Sequence, residues 1–406
     1  MLLDVDYVRA QFPAFAVDSL QGQSFFENAG GSYTCRAVID RLTRFYTERK
    51  VQPYAPYEAS RLGGAEMDEA RSRLSAMLGV EGDELSFGPS TTANTYVLAQ
   101  AFRQWMKPGE AIVVTNQDHE ANSGPWRRLA EAGIEIREWR HDPETGHLNP
   151  EDLEPLLDET VRLVCFPHCS NVVGEINPVV EITAMAHAAG AFVCVDGVSY
   201  APHGLPDVGL MGPDIYLFSA YKTYGPHQGI MVIRRVLGRQ LPNQGHHFNG
   251  EALYKRFTPA GPDHAQIAAC AGMADYIDAL ADHHGVQGSP AQRATAVHDL
   301  MRAHEVRLLQ PLLDHLGSKN SARVLGPRRA AERAPTVAIE TRHQGRDLAE
   351  KLAAYGVMAG GGDFYAGRAL QGMGVDLAKG VLRLSFVHYT DQADMDRLTT
   401  ALDEIL

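Results

Sequence analysis

Two textures of hydrophobic and polar positions alternate along this chain. Short apolar runs rich in Val, Ile and Phe recur as AIVVT (111–115), IEIREW (134–139), RLVCFPH (162–168), AFVCVDG (191–197), DIYLFS (214–219) and GIMVIRR (229–235). Between several of them lie patterns with helical spacing, such as WRRLAEAG after Pro125 and VVEITAMAHAAG before Ala191. Strands that alternate with helices in this way predict βαβ units and a mostly parallel sheet with helices on its faces. Beyond about residue 265 the texture changes. HAQIAACAGMADYIDALADHH (264–284) predicts a long helical stretch, TVAIET (336–341) and VLRLSFV (381–387) predict strands, and DQADMDRLTTALDEIL predicts a final helix. The expected class is α/β: a large domain over 26–265, a smaller α+β domain over 266–406, and an N-terminal segment, 1–25, packed near the smaller one.

Composition narrows the function classes. With 406 residues and 45% hydrophobic residues the chain can bury a large core. A formal charge of −13 argues against a nucleic-acid or membrane-surface partner. No apolar stretch approaches the roughly 20 residues of a membrane span, and MLLDVDYVRAQF lacks the basic and apolar regions of a signal peptide. The cysteines, at 35, 165, 169, 194 and 270, form neither a paired framework nor a CxxC motif. That pattern suits a reducing compartment, so a cytoplasmic protein is expected.

Ligands of open α/β sheets bind beyond the carboxyl ends of the strands. RLVCF is followed by Pro167, His168, Cys169, Ser170 and Asn171. AFVCV is followed by Asp196, and DIYLF by Ser219, Tyr221 and Lys222. Lys222 stands out because a turn between two buried strands normally carries Gly, Asn, Asp or Ser. A partly desolvated lysine has a lowered pKa and can form an imine with a carbonyl. Pyridoxal phosphate joins a lysine in this way and needs an acid for its pyridine nitrogen, which Asp196 can supply. Its phosphate needs a cradle, and GPSTTAN puts Ser90, Thr91 and Thr92 ahead of a helix whose free N–H groups attract anions.

Taken together, the sequence resembles the pyridoxal-phosphate-dependent class V aminotransferase family, fold type I, in its cysteine desulfurase-like branch. The resemblance rests on FFENAGGSY, GPSTTAN, VTNQDHEANSGPW, HCSNVVGEINPV, VDGVSYAPH, SAYK and LRLSFVHYTDQADMDRL, which follow in family order over most of the chain. It implies that His119 stacks on the cofactor ring, that Asn171 and Ser199 lie near the ring oxygen, and that Asp196 faces the pyridine nitrogen. Lys222 is then the Schiff-base lysine, Ser219 and Tyr221 join Ser90, Thr91 and Thr92 at the phosphate, and Arg383 holds a substrate carboxylate. Asn28 belongs to the N-terminal active-site segment and is expected to contact the substrate. A homodimer is also implied.

Departures from the family pattern bear on the reaction. The stretch GVMAGGGDFYAGRAL (356–370), where the desulfurases carry a thiolate, contains no cysteine, and Cys35 is the one substitute the sequence offers. A residue that is often Gln or His in the family is Ser199. The stretch that donates a phosphate contact across the dimer reads TPAGPDH (258–264), where Thr258 can stand in. GGG (360–362) reads as a flexible loop that would let Phe364, Tyr365 and Arg368 close over a substrate. GHHF and DHHG read as surface or rim residues without metal-binding spacing. The expected activity is transamination or β-elimination of an α-amino acid. A desulfurase with a relocated nucleophile, an amino-acid epimerase and a non-catalytic cofactor-binding sensor are the alternatives.

Overall fold

The computed structural model describes residues 2–406. Its strands, in chain order, are β1 (Ser24–Phe25), β2 (Leu85–Gly88), β3 (Ala111–Thr115), β4 (Glu135–Trp139), β5 (Val161–Pro167), β6 (Phe192–Asp196), β7 (Ile215–Ser219) and β8 (Gly229–Ile233). They continue with β9 (Ala322–Val324), β10 (Thr336–Thr341), β11 (Val357–Met358), β12 (Gly360–Gly362) and β13 (Val381–Ser385). Seven of them form the large sheet in the order β2-β8-β7-β6-β5-β3-β4. The pairs from β7 to β4 are parallel, whereas β8 runs antiparallel to both β7 and β2.

Strands β3, β7 and β8 are buried at every position because both faces of the sheet are covered. The period of two divides their side chains between two cores. Ile112, Val114, Leu163, Leu217 and Met231 pack with Leu98 and Phe102 of the helix Thr91–Trp105. Val113, Val164, Phe166, Val195 and Phe218 pack on the other side with Met67 and Leu74 of the helix Glu58–Met77. Burying each such side chain contributes about 1.5–3 kcal/mol, so both faces hold the sheet firmly under its rim.

The smaller sheet runs β12-β13-β10-β9, antiparallel throughout. Its core is shared with the helices Pro290–Gly317, Gly345–Ala354 and Gln392–Ile405. The chain start is tied to this region. β1 pairs in parallel with β11, and Arg9 donates to Tyr389 O and Asp394 at 2.9 Å.

Several expectations are corrected. The pattern after Pro125 forms only one α-turn, Gly124–Arg127, followed by a 3₁₀ segment that left-handed Gly133 ends. The stretch 264–284 is two helices, His264–Ala269 and Ala271–His283, which pack in the core of one face of the large sheet. GGG is not a loop but strand β12. A Cβ on Gly361 would lie 2.2 Å from the Gly345 backbone, so glycine is what lets the helix Gly345–Ala354 sit against this edge. His284 is buried rather than on the surface: it accepts the Asp4 N–H at 3.0 Å. Among the described residues no helix is long and apolar enough to cross a membrane, and no cluster of three or more metal-ligating side chains occurs.

Candidate active site

The carboxyl ends of β5, β6 and β7 open into one chamber. β6 ends at Asp196, and β7 ends at Ser219, from which a 3₁₀ turn, Ala220–Lys222, carries the lysine inward. Asn171, Ser199, Tyr221, Ser90, Thr91, Thr92 and His119 line the same chamber as Asp196, Ser219 and Lys222. Ser90 caps the helix Thr91–Trp105 by accepting the Ala93 N–H at 3.1 Å, and the Thr91 and Ser219 hydroxyls are 2.8 Å apart. A Cβ on Gly229 would stand 2.4 Å from the Ser90 carbonyl carbon, so only glycine lets β8 approach this helix start.

Burial sets the charges. Lys222 is 9% exposed, and desolvation, assisted by the charge of Arg383, lowers its pKa to about 8. Desolvation also lowers the pKa of His119 to about 3, so its ring is neutral at working pH. Its Nδ1 accepts the Ala121 N–H at 3.0 Å, which leaves the proton on Nε2. Asp196 accepts the Val198 N–H at 2.8 Å, yet burial raises its pKa to about 6. A second acid, Asp118, lines the chamber. Burial and then the charge of Asp196 push its carboxyl well up, and its Oδ1 has no hydrogen-bond partner among the described residues.

An outer chamber shares Thr92, His119, Asn171, Tyr221 and Lys222 with the inner one. Arg383 forms part of its wall. On β13, Leu382 and Leu384 point into the small core, so Arg383 between them points the other way, towards the site. The Phe364 ring covers the guanidinium at 3.8 Å, and Glu27 pairs with it at 2.8 Å. Phe364 and Tyr365 are both left-handed, at φ 52° and 56°, a strain of about 1–3 kcal/mol per residue. Two hydrogen bonds of 2.9 Å hold them there: Asn171 Nδ2 donates to Phe364 O, and the Glu120 N–H donates to Tyr365 O.

This geometry agrees with what the chain is similar to. The family model described as aminotransferase class-V matches residues 24–398. The chain belongs to the class V aminotransferase family. As a member it is a pyridoxal-phosphate-dependent enzyme of fold type I. Among its relatives, the aminotransferase-like protein FGM3 of Gibberella zeae is 32% identical, with 99% of this chain and 98% of that protein covered. A cysteine desulfurase of Serratia proteamaculans is 29% identical over 100% of this chain and 99% of its own. Among solved structures, the cysteine desulfurase of Thermococcus onnurineus NA1 superposes with a TM-score of 0.86 at 21% identity, covering 100% of this chain and 98% of that one. The Escherichia coli desulfurase CsdA gives 0.81 at 23%, covering 100% and 99%.

Within this class V aminotransferase, two residues expected at the substrate lie elsewhere. Asn28 does not line either chamber: its Nδ2 donates to Ser385 O at 3.2 Å and its Oδ1 accepts from the Tyr389 hydroxyl. Arg368 stays outside the lining and reaches it only through Glu120, at 3.4 Å. Cys35 is buried in the core with its thiol 3.7 Å from Gly272 O, and burial pushes its pKa up to about 12. Thr258 donates to Phe87 O of its own chain at 3.4 Å. The sequence reading missed Glu27, Asp118, Glu120 and Tyr96 as lining residues, whereas Cys169, just past β5, lines the inner chamber beside Asn171. The first three were detectable as acids flanking Asn28 and His119, the residues the motifs single out.

Proposed function

We propose that this class V aminotransferase acts at the α-carbon of an α-amino acid, ending in transamination or in elimination of a β-substituent. The observation that carries this reading is a single cavity that joins a desolvated amine, Lys222, to a buried guanidinium, Arg383. The residues present fit pyridoxal phosphate. Lys222 offers an amine with a substantial neutral fraction, Asp196 a carboxylate for the pyridine nitrogen, and the helix start with Ser90, Thr91, Thr92, Ser219 and Tyr221 a seat for the phosphate. Bound there, the cofactor supplies an electron-withdrawing ring. The chain's own groups do the rest. His119 presents a flat neutral face to that ring, Asn171 and Ser199 would hold its ring oxygen, Arg383 would orient the substrate carboxylate, and Lys222 would take the α-proton and return it.

Sulfur transfer through an enzyme persulfide is not part of this reading. The stretch 356–370 has no cysteine, and all five cysteines of the chain are buried. Cys169 borders the inner chamber, but its thiol donates to Gly174 O at 3.2 Å and burial raises its pKa to about 12. A nucleophilic thiolate needs the opposite shift. Product analysis of the holoenzyme with amino acids, with and without an added α-keto acid, tests the proposal. Amine transfer to the keto acid marks transamination, and ammonia release marks elimination. With cysteine and a reductant we expect no protein persulfide by mass spectrometry and no alanine, and any sulfide should appear together with pyruvate and ammonia, as elimination requires. Rapid sulfide turnover lost in Cys35→Ser or Cys169→Ser would overturn this.

We also propose a two-fold homodimer, on the family resemblance. Light scattering at micromolar concentration should give twice the chain mass, and a fully active monomer would contradict it.

A further inference from the structure

The outer chamber holds more negative charge than Arg383 can neutralise once an amino acid enters. Its guanidinium is already paired with Glu27 Oε1 at 2.8 Å, and its Nη1 donates to Asn171 O at 3.3 Å. Nε of Arg383 is buried and has no partner among the described residues, which leaves a donor for an incoming carboxylate. Glu27 Oε2 is likewise buried without a partner among them. A carboxylate oxygen in that state is expensive unless a ligand donates to it.

Glu27 is held where it stands by its 2.8 Å pair with Arg383 and lies close against two glycines. A Cβ on Gly30 would meet its Oε1 at 2.8 Å, and a Cβ on Gly360 would meet its Oε2 at 2.8 Å and Cδ at 2.9 Å. The carboxylate is therefore seated in a slot that exists because both neighbours are glycine. With Glu27 fixed, an α-carboxylate on Arg383 puts two anions against one guanidinium. Lys222 does not restore the balance, since the proposed reaction uses its amine. The other lining groups point the same way. Glu120 borders the chamber nearer to solvent, held only at 3.4 Å by Arg368, and Tyr96 and Tyr365 line it without adding positive charge.

We propose that Glu27 is a specificity-determining residue and that the substrate is an α-amino acid whose side chain carries a cationic group. That group pairs with the Glu27 carboxylate, whose side chain is 29% exposed and lines the chamber, and restores neutrality beside Arg383. The proposal rests on the reading of the site as one for α-amino acids.

Titrating the absorbance of the holoenzyme with two isosteric pairs, L-ornithine against L-norvaline and L-lysine against L-norleucine, tests it. In the wild type the basic member of each pair should bind tighter by roughly 10–100-fold, the range for a hydrogen bond to a charged group. In Glu27→Gln the basic members should weaken by that factor while the neutral ones bind as before or tighter. Neutral amino acids binding as well as basic ones in the wild type would overturn the proposal, and this comparison decides even if the variant does not load cofactor. Equal tightening of all four in Glu27→Gln would overturn it too, since Glu27 would then only compete for Arg383. Silence with all four, in a holoenzyme whose absorbance shows cofactor attached to Lys222, would bring down the underlying α-amino-acid reading as well.

Discussion

Lys222→Ala is expected to leave a folded protein whose turnover falls by roughly 10²–10⁴-fold, the contribution typical of a positioned acid–base group. The truncation opens into a chamber rather than into packed core, and it removes a charge that burial disfavours, so thermal stability should change little. The variant should also lose covalent attachment. Borohydride treatment of the wild type should fix the cofactor to Lys222, detectable by peptide mass spectrometry, and the variant should show no such adduct. The pH dependence follows from the same burial. Only the neutral amine attacks a carbonyl, and with a pKa of about 8 about one amine in ten is neutral at pH 7, against roughly one in 3,000 for an ordinary lysine. The rate at which apoprotein takes up pyridoxal phosphate should therefore rise through pH 8 and level off above it. A rate still climbing towards pH 10.5 would mean that the amine is not desolvated.

Asp196→Asn tests the other end of the cofactor. The substitution keeps the shape and an acceptor for the Val198 N–H, which the carboxylate holds at 2.8 Å. It removes the charge that would stabilise a protonated pyridine nitrogen. Losing one such preorganised electrostatic contact costs about 10²–10³-fold in turnover. Lys222 should still be reducible onto the cofactor, which separates this outcome from loss of binding. Burial, and then the charge of Asp196, push the carboxyl of the neighbouring Asp118 well up. With that charge gone, Asp118 should ionise at lower pH than in the wild type, and the pH profile of the residual activity should move with it. A variant with unchanged turnover and profile would exclude Asp196 from the role proposed here.

Local periodicity made much of this protein legible from its sequence. The large-sheet strands were read to within two residues, except β2, because a strand covered on both faces is a continuous apolar run bounded by turns. Lys222 and Asp196 were placed at the chamber for a related reason: each stands at or just past the end of such a run, and parallel strands deliver their carboxyl ends to one rim. Arg383 was visible as a charge inside an apolar strand, where it needs a partner.

The identity of that partner was decided by tertiary structure alone. Glu27 and Asn28 are adjacent, but the backbone bridge from Glu27 to Ser385 turns successive side chains in opposite directions. The Asn28 amide is spent on Ser385 and Tyr389, while the Glu27 carboxylate faces the chamber. GGG shows the same limit. Three glycines in sequence suggest freedom, whereas here they are a strand edge against which Glu27 and a helix start are packed. Composition and spacing along the chain report which segments can be buried. They do not report which donors and acceptors, hundreds of residues apart, satisfy one another, and that pairing determines which polar groups are left to meet a ligand.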